Sequence, residues 1–221
     1  IGSHHVEVNG LRSDNNQFSV WMVDTSFVDI KNCYVTNSYN GFRGEGMTHD
    51  IRIENCEVYN SKDIYPGYDL ATKQFTYGFV NGDGFIFEGD TYNLTFRNII
   101  TGNNSDAGID IKGDNVLIEN VVSFGNTNNF KTWGNNITIR NCLSYQSKDQ
   151  WTDGNLTYST GITVRDGVTT IENSTFADNQ ATDVKVAPDY AGKLIIKNSI
   201  IASQYTYRSL SERYNTIIES D

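Results

Sequence analysis

Apolar and polar residues alternate in short runs along this chain, and the runs keep ending on asparagine. VDIKNCYVTNS from Val28, IRIENCEVYNS from Ile51, LTFRNIITGNN from Leu94, VLIENVVSFGN from Val116, ITIRNCLSYQS from Ile137, TTIENSTFADN from Thr169 and LIIKNSIIASQ from Leu194 share one pattern. Each is a two-residue apolar alternation, an asparagine, then more alternation. The shared residues are Asn32, Asn55, Asn98, Asn120, Asn141, Asn173 and Asn198, at intervals of 23, 43, 22, 21, 32 and 25. VEVNGLRSD near the start fits with Gly10 in the asparagine position. A period of two marks strands with one buried face, and no helical period competes. Between these runs lies a second set of short strands: NGFRGEG, DGFIFEGD, AGIDIKGD, NNFKTWGN, TGITVRDG and TDVKVAPD.

A repeat of about 22 residues carrying two or three short strands predicts a right-handed parallel β-helix. The fold class is therefore all-β, a single-stranded solenoid of about nine coils. Residues 1–221 form one β-helix domain, expected to be part of a longer chain, since neither end reads as a cap. Inward Ile, Val, Leu and Phe fill the core. The corner asparagines stack and share amide hydrogen bonds. The long intervals place insertions at residues 65 to 81 and 146 to 160; excursions of this kind often build a binding face.

Aligning the second strands on Phe42, Phe85, Ile109, Phe130 and Ile162 changes the picture, because it stacks chemistry. The residues two before are Asn40, Asp83, Ala107, Asn128 and Thr160; those just after are Arg43, Ile86, Asp110, Lys131 and Thr163. Adjacent coils thus bring Asp83, Asp106 and Asp110 together on one outer surface, bordered by Lys131. Clustered carboxylates repel unless a positive charge sits among them. A hard cation with oxygen ligands meets that need, and calcium tolerates such mixed shells better than magnesium; Asn104 and Ser105 are candidates to complete the shell. Two other readings stand beside it: Asp and Asn before Gly are common turn formers, and Asp110 with Lys131 is a plain cross-coil ion pair.

Composition removes several classes. The net charge of −10 argues against nucleic acid and anionic membranes as partners. There is no apolar run of transmembrane length. Cys33, Cys56 and Cys142 have similar flanks and no partners at zinc-site spacing, so they read as buried structural residues.

Three motifs in order, NGDGF at 81–85, NNSDAGID at 103–110 and NNFKTWG at 128–134, resemble N-x-D-G-F, N-S-D-D-G-x-D and G-N-G-F-K of the family 9 polysaccharide lyases, the β-helical pectate lyases. The resemblance covers roughly residues 60 to 180. It implies that Asp83, Asp106 and Asp110 bind Ca2+ and that Lys131 is the catalytic base in a β-elimination on pectate or a related polyuronate. Two positions depart from the pattern: Ala107 replaces a second aspartate, and Asn129 stands where the family prefers glycine. Trp133 and Trp151 are candidates to offer flat faces to sugar rings, and Arg43 and Arg165 to pair with substrate carboxylates. The resemblance further implies an acidic polysaccharide partner, a monomer, and a secreted or cell-surface location.

Two alternatives remain open. One is a non-catalytic carbohydrate-binding or cell-surface β-helix with a degenerate site, which Ala107 favours. The other is a different β-helical enzyme, a hydrolase or a uronate epimerase. A hydrolase needs paired acids beyond the aspartates already assigned. His4, His5 and His49 fall in early coils, away from the site, which disfavours a histidine-based epimerase.

Overall fold

The alternation does produce coils. The computed structural model describes residues 4–62, 68–69, 74–75, 82–148, 159–187, 191–202, 210–211 and 216–218. Among these residues every regular element is a strand, and no helix is long and apolar enough to cross a membrane.

Apart from an antiparallel pair, Tyr68–Asp69 with Gln74–Phe75, the strands lie on three faces. The first face stacks nine in parallel: His4–Asn9, Ser26–Lys31, His49–Glu54, the start of Tyr92–Gly102, the start of Asp114–Phe124, Ile137–Arg140, Val168–Glu172, Lys193–Lys197 and Thr216–Ile218. The second face continues each coil after its asparagine: Arg12–Asp14, Tyr34–Thr36, Glu57–Tyr59, the ends of the two long strands, Leu143–Tyr145, Thr175–Ala177 and Ile200–Ala202. The third stacks Phe18–Val23, Asn40–Glu45, Phe85–Phe87, Ala107–Ile111, Asn128–Thr132, Thr160–Val164, Thr182–Val186 and Leu210–Ser211. Among the described residues, eight coils carry all three strands and a ninth contributes one, slightly short of the nine expected.

The register read from sequence holds on both sets of strands. Val28 pairs with Ile51, Ile51 with Leu94, Leu94 with Val116, Val116 with Ile137, Ile137 with Thr169 and Thr169 with Leu194. On the third face Phe42, Phe85, Ile109, Phe130 and Ile162 form one inward column. All five are fully buried, and Phe42 and Phe85 stack with centroids 5.0 Å apart.

The seven asparagines turn the chain from the first face to the second. Each has a positive φ, between 45° and 55°. Asn is the residue other than glycine that best tolerates this left-handed conformation. The side chains form the expected outer ladder: Asn32 donates to Asn9, Asn55 to Asn32, Asn98 to Asn55 and Asn120 to Asn98, at 3.0 to 3.3 Å. The three cysteines are buried free thiols just inside this corner. Burial in an apolar interior disfavours the thiolate, which pushes Cys56 and Cys142 up to about 12.

A second, interior ladder was not foreseen. Asn104, placed in a cation shell by the sequence reading, is fully buried instead. Its amide donates to Thr101 Oγ1 and Asn126 Oδ1, while its oxygen accepts from the Ser61 N–H. Asn126 donates to Ser123 and to Asn129 Oδ1, and Asn129 donates to Ser144, the Tyr145 carbonyl and Asn179. This seam explains the glycines after Asp83 and Ala107: a Cβ on Gly84 would lie 2.4 Å from Thr101 Oγ1, and one on Gly108 2.3 Å from Ser123 Oγ. It also accounts for Asn129, which departs from the family glycine because its amide fills the seam and satisfies it.

Candidate active site

The third face positions the site through two columns that run along the solenoid axis. The first holds Asn40, Asp83, Ala107, Asn128 and Thr160; the Asn128 pairings with Ala107 and Thr160 are direct, and the Gly84 N–H reaches the Ala107 carbonyl at 2.9 Å. The second is the outward column Trp21, Arg43, Ile86, Asp110, Lys131, Thr163 and Lys185. Asp106 immediately precedes the Ala107–Ile111 strand, next to the first column.

This arrangement brings the three aspartates and the lysine together. Oxygens of Asp83, Asp106 and Asp110 all lie within 4.8 Å of one another. The Lys131 ammonium donates to Asp106 Oδ2 at 2.9 Å and pairs with Asp110 Oδ2 at 2.9 Å. The Lys131, Asp106 and Asp110 side chains are only 11%, 14% and 3% exposed. An ion pair this well enclosed is screened far less than a surface one.

Each carboxylate is also oriented by neighbours. The Ala107 N–H donates to Asp83 Oδ1 at 2.8 Å. The Asp83 N–H donates to Asn40 Oδ1 at 2.9 Å. Asn128 donates to Asp106 Oδ1 at 3.3 Å, and its own oxygen accepts from Thr160 and Thr163. Trp133 Nε1–H donates to Asp110 Oδ1 at 3.1 Å. Asn40, Asn128 and Thr160 had been aligned in sequence without a role; the column register was their signal.

The charges follow from burial and crowding. Burial, then repulsion from Asp106 and Asp110, hold Asp83 well above the usual carboxylate range, with Lys131 pulling the other way. Burial opposes the charge on Lys131, but Asp110, Asp106 and Asp83 overcome it and hold the ammonium well above the usual lysine range. Lys131 is therefore the counter-cation of the cluster in this arrangement.

The donor set suits a hard cation. Three carboxylates within 4.8 Å match ligand distances of about 2.3–2.6 Å. Asp83 Oδ2 is buried with no hydrogen-bond partner, a costly state for a carboxylate oxygen and one that a cation would relieve. Ala107 supplies its backbone N–H and no carboxylate, so among the described residues the cluster has three carboxylates.

The remaining candidates divide. Trp133 and Arg165 come together, with the guanidinium 4.7 Å from the indole centroid. The Lys112 ammonium also lies over that ring, at 5.9 Å. Lys112, Trp133 and Arg165 follow the paired residues Ile111, Thr132 and Val164 of three successive coils. The indole thus lies against cations from the coils on either side. Arg43 stands in the outward column two coils before Asp110, paired with Glu45 at 2.8 Å and Glu88 at 2.7 Å. Trp151 lies outside the described residues.

No protein-family model matches the chain, and no curated protein matches it in sequence. Solved structures do match in fold. The periplasmic alginate epimerase AlgG, in a mutant form, shares 12% identity at a TM-score of 0.65, over 96% of this chain and 51% of that one. The A-module of the mannuronan C-5 epimerase AlgE4 from Azotobacter vinelandii shares 16% identity at a TM-score of 0.55, over 97% of this chain and 76% of that one. The chain spans about half the length of the first of these structures. At such identities the likeness is one of fold.

Proposed function

We propose that this chain is a polyuronate-cleaving β-helix that works by β-elimination, with pectate or a related uronan as substrate. One observation carries the reading: an enclosed lysine, Lys131, lies within 2.9 Å of two of three clustered carboxylates. The fold likeness to two structures named as epimerases of alginate or mannuronan supports it. Epimerisation at C5 and β-elimination share their first event, removal of the proton alpha to the uronate carboxylate. The periplasmic neighbour and the polymeric substrate support a location outside the cytoplasm.

Asp83, Asp106 and Asp110 would hold Ca2+. Bound there, the ion would neutralise the substrate carboxylate and acidify the C5 proton. The chain's own residues do the rest. Asn128, Trp133 and the Ala107 N–H fix the carboxylate rotamers. Lys131 accepts the C5 proton, the freed electron pair forms the C4–C5 double bond, and the glycosidic oxygen at C4 leaves and is protonated by water. Lys131 can do this only as the free amine, so its two salt bridges must first be released. That requirement makes alkaline conditions favourable.

The competing reading is a binding β-helix in which Lys131 is a permanent internal counter-ion. The double salt bridge and Ala107 favour it. Incubation with polygalacturonate and with alginate at alkaline pH, with calcium and with chelator, separates the two. Calcium-dependent ultraviolet absorbance from the unsaturated product, lost in Lys131→Ala, supports the lyase. Folded protein that yields no product on any uronan supports the binding protein.

A further inference from the structure

Beyond Trp133 the corner between the third and first faces is hollow. Gly113, Gly134 and Gly167 turn this corner in successive coils. A Cβ on Gly134 would lie 1.9 Å from the Gly113 carbonyl oxygen, and one on Gly167 2.1 Å from that of Gly134. The coils therefore pack backbone to backbone, and no side chain projects from these three positions. The result is a cleft of about 550 Å3, a volume suited to one or two sugar rings by comparison with ordinary ligand sites. Its walls include Trp133, Lys112, Asp114, Asp166 and Lys193.

The charges of these walls are not equivalent. Lys112 is paired with Glu88 at 2.6 Å. Asp114 Oδ1 accepts the Asn135 N–H at 2.6 Å, and Asp166 Oδ1 accepts the Gly167 N–H at 2.8 Å. Lys193 lines the cleft with no carboxylate in salt-bridge range among the described residues. The cleft thus presents one uncommitted cation, two carboxylates able to accept hydroxyl protons through their second oxygens, and an aromatic wall. Trp133 forms that wall and also holds Asp110 through its indole N–H, so one residue links the cleft to the carboxylate–lysine cluster.

We infer that this cleft is a second subsite for an acidic sugar of the same polymer, with Lys193 receiving its carboxylate and Asp114 and Asp166 its hydroxyls. The inference rests on the polyuronate reading above. Lys193 stands two coils beyond Trp133 and three beyond Asp110 along the axis, about 14 Å from the latter. A short oligomer held at the aspartates does not span that distance; a longer one does.

The test is calorimetric binding of a diuronate and a hexauronate to the whole protein at mildly acidic pH, where Lys131 stays protonated and nothing is cut. Wild type is compared with Lys193→Gln, a substitution at a partly exposed position. The expected result is about tenfold weaker hexauronate binding in the variant, with diuronate binding and melting temperature unchanged. Equal hexauronate affinity in both proteins overturns the subsite, whether or not the protein proves to be a lyase. Selective loss in a protein that yields no unsaturated product in the separate alkaline assay with calcium sustains the subsite and removes the lyase reading. Absence of uronate binding by wild type overturns both.

Discussion

Asp110 and Lys131 are direct partners in adjacent coils, and the lysine ammonium sits 2.9 Å from the aspartate's Oδ2. The same ammonium holds Asp106 at 2.9 Å. One ammonium therefore bridges two of the three carboxylates of a cluster that would otherwise be strongly repulsive. The base of the proposed reaction is also the group that keeps the resting site together.

Replacing Lys131 should separate those two roles. Lys131→Met is expected to abolish product formation, since a positioned base contributes on the order of 10²–10⁴-fold. It should also destabilise the fold by about 3 kcal/mol at neutral pH in chelator, the typical cost of removing one partner of an enclosed pair. Calcium should restore much of that stability, because the aspartates are left with no competing ammonium. Denaturant unfolding of both proteins, with and without calcium, measures this; equal destabilisation in both conditions would argue against a cation site.

The pH dependence has a definite sign. The folded state holds Lys131 above its unfolded value. Its stabilising contribution is thus complete below about pH 10, the ordinary lysine range, and is lost as pH rises beyond it. Activity should run the other way and climb through the alkaline range as the amine is released. A product-formation profile that peaks at neutral pH would count against Lys131 as base.

Trp133→Phe keeps a ring between Lys112 and Arg165 but deletes the donor to Asp110 Oδ1. Hydrogen bonds to charged groups are worth about 1.5–3 kcal/mol, so kcat/KM should drop by roughly tenfold or more. Calcium affinity, read by calorimetry, should weaken with it. If Trp133 served only as a sugar platform, calcium affinity would be unchanged.

The corner asparagines should show an inverted preference. Asn98 has φ +55° and bonds to Asn55 and Asn120. Asn98→Gly loses the amide bonds alone. Asn98→Ala also bears the left-handed strain of about 1–2 kcal/mol. The melting temperature should therefore fall further for alanine than for glycine, the reverse of what the middle of a strand would give.

The thiols supply an independent check on the core. Cys142 and Cys56 are pushed up to about 12 by burial, against about 8.5 for an exposed thiol. Native protein should resist alkylation at pH 8 and label fully once unfolded. Because the folded state disfavours the thiolates, stability is complete below about pH 8.5 and declines as pH rises from there towards 12.

The coil register was legible in sequence because its inward residues are unambiguous. Phe42, Phe85, Ile109 and Phe130 can only be core, and aligning them puts Asp110 against Lys131 without further information. The polar residues around the site were less legible. Asn104 and Asn128 look alike in sequence, yet one enters the interior seam and the other orients Asp106. Asn104 meets Thr101 arriving from the second face, whereas Asn128 meets Thr160 and Thr163 of the next coil. The cations beside Trp133, Lys112 and Arg165, become visible only when three coils are stacked at the corner. Lys193 was passed over because its strand belongs to the first face, and nothing in the local sequence joins it to Trp133.

The pairing of Ile51 with Leu94 spans a 43-residue interval, yet it keeps the registration seen between Leu94 and Val116 across 22. The ladder is indifferent to how much chain intervenes between two rungs. Chain length between rungs is therefore a free variable of this architecture, since intervals of 22 and 43 residues give the same registration. The juxtaposition of Asp110 with Lys131 is set by the strands themselves, whatever length of chain lies between coils.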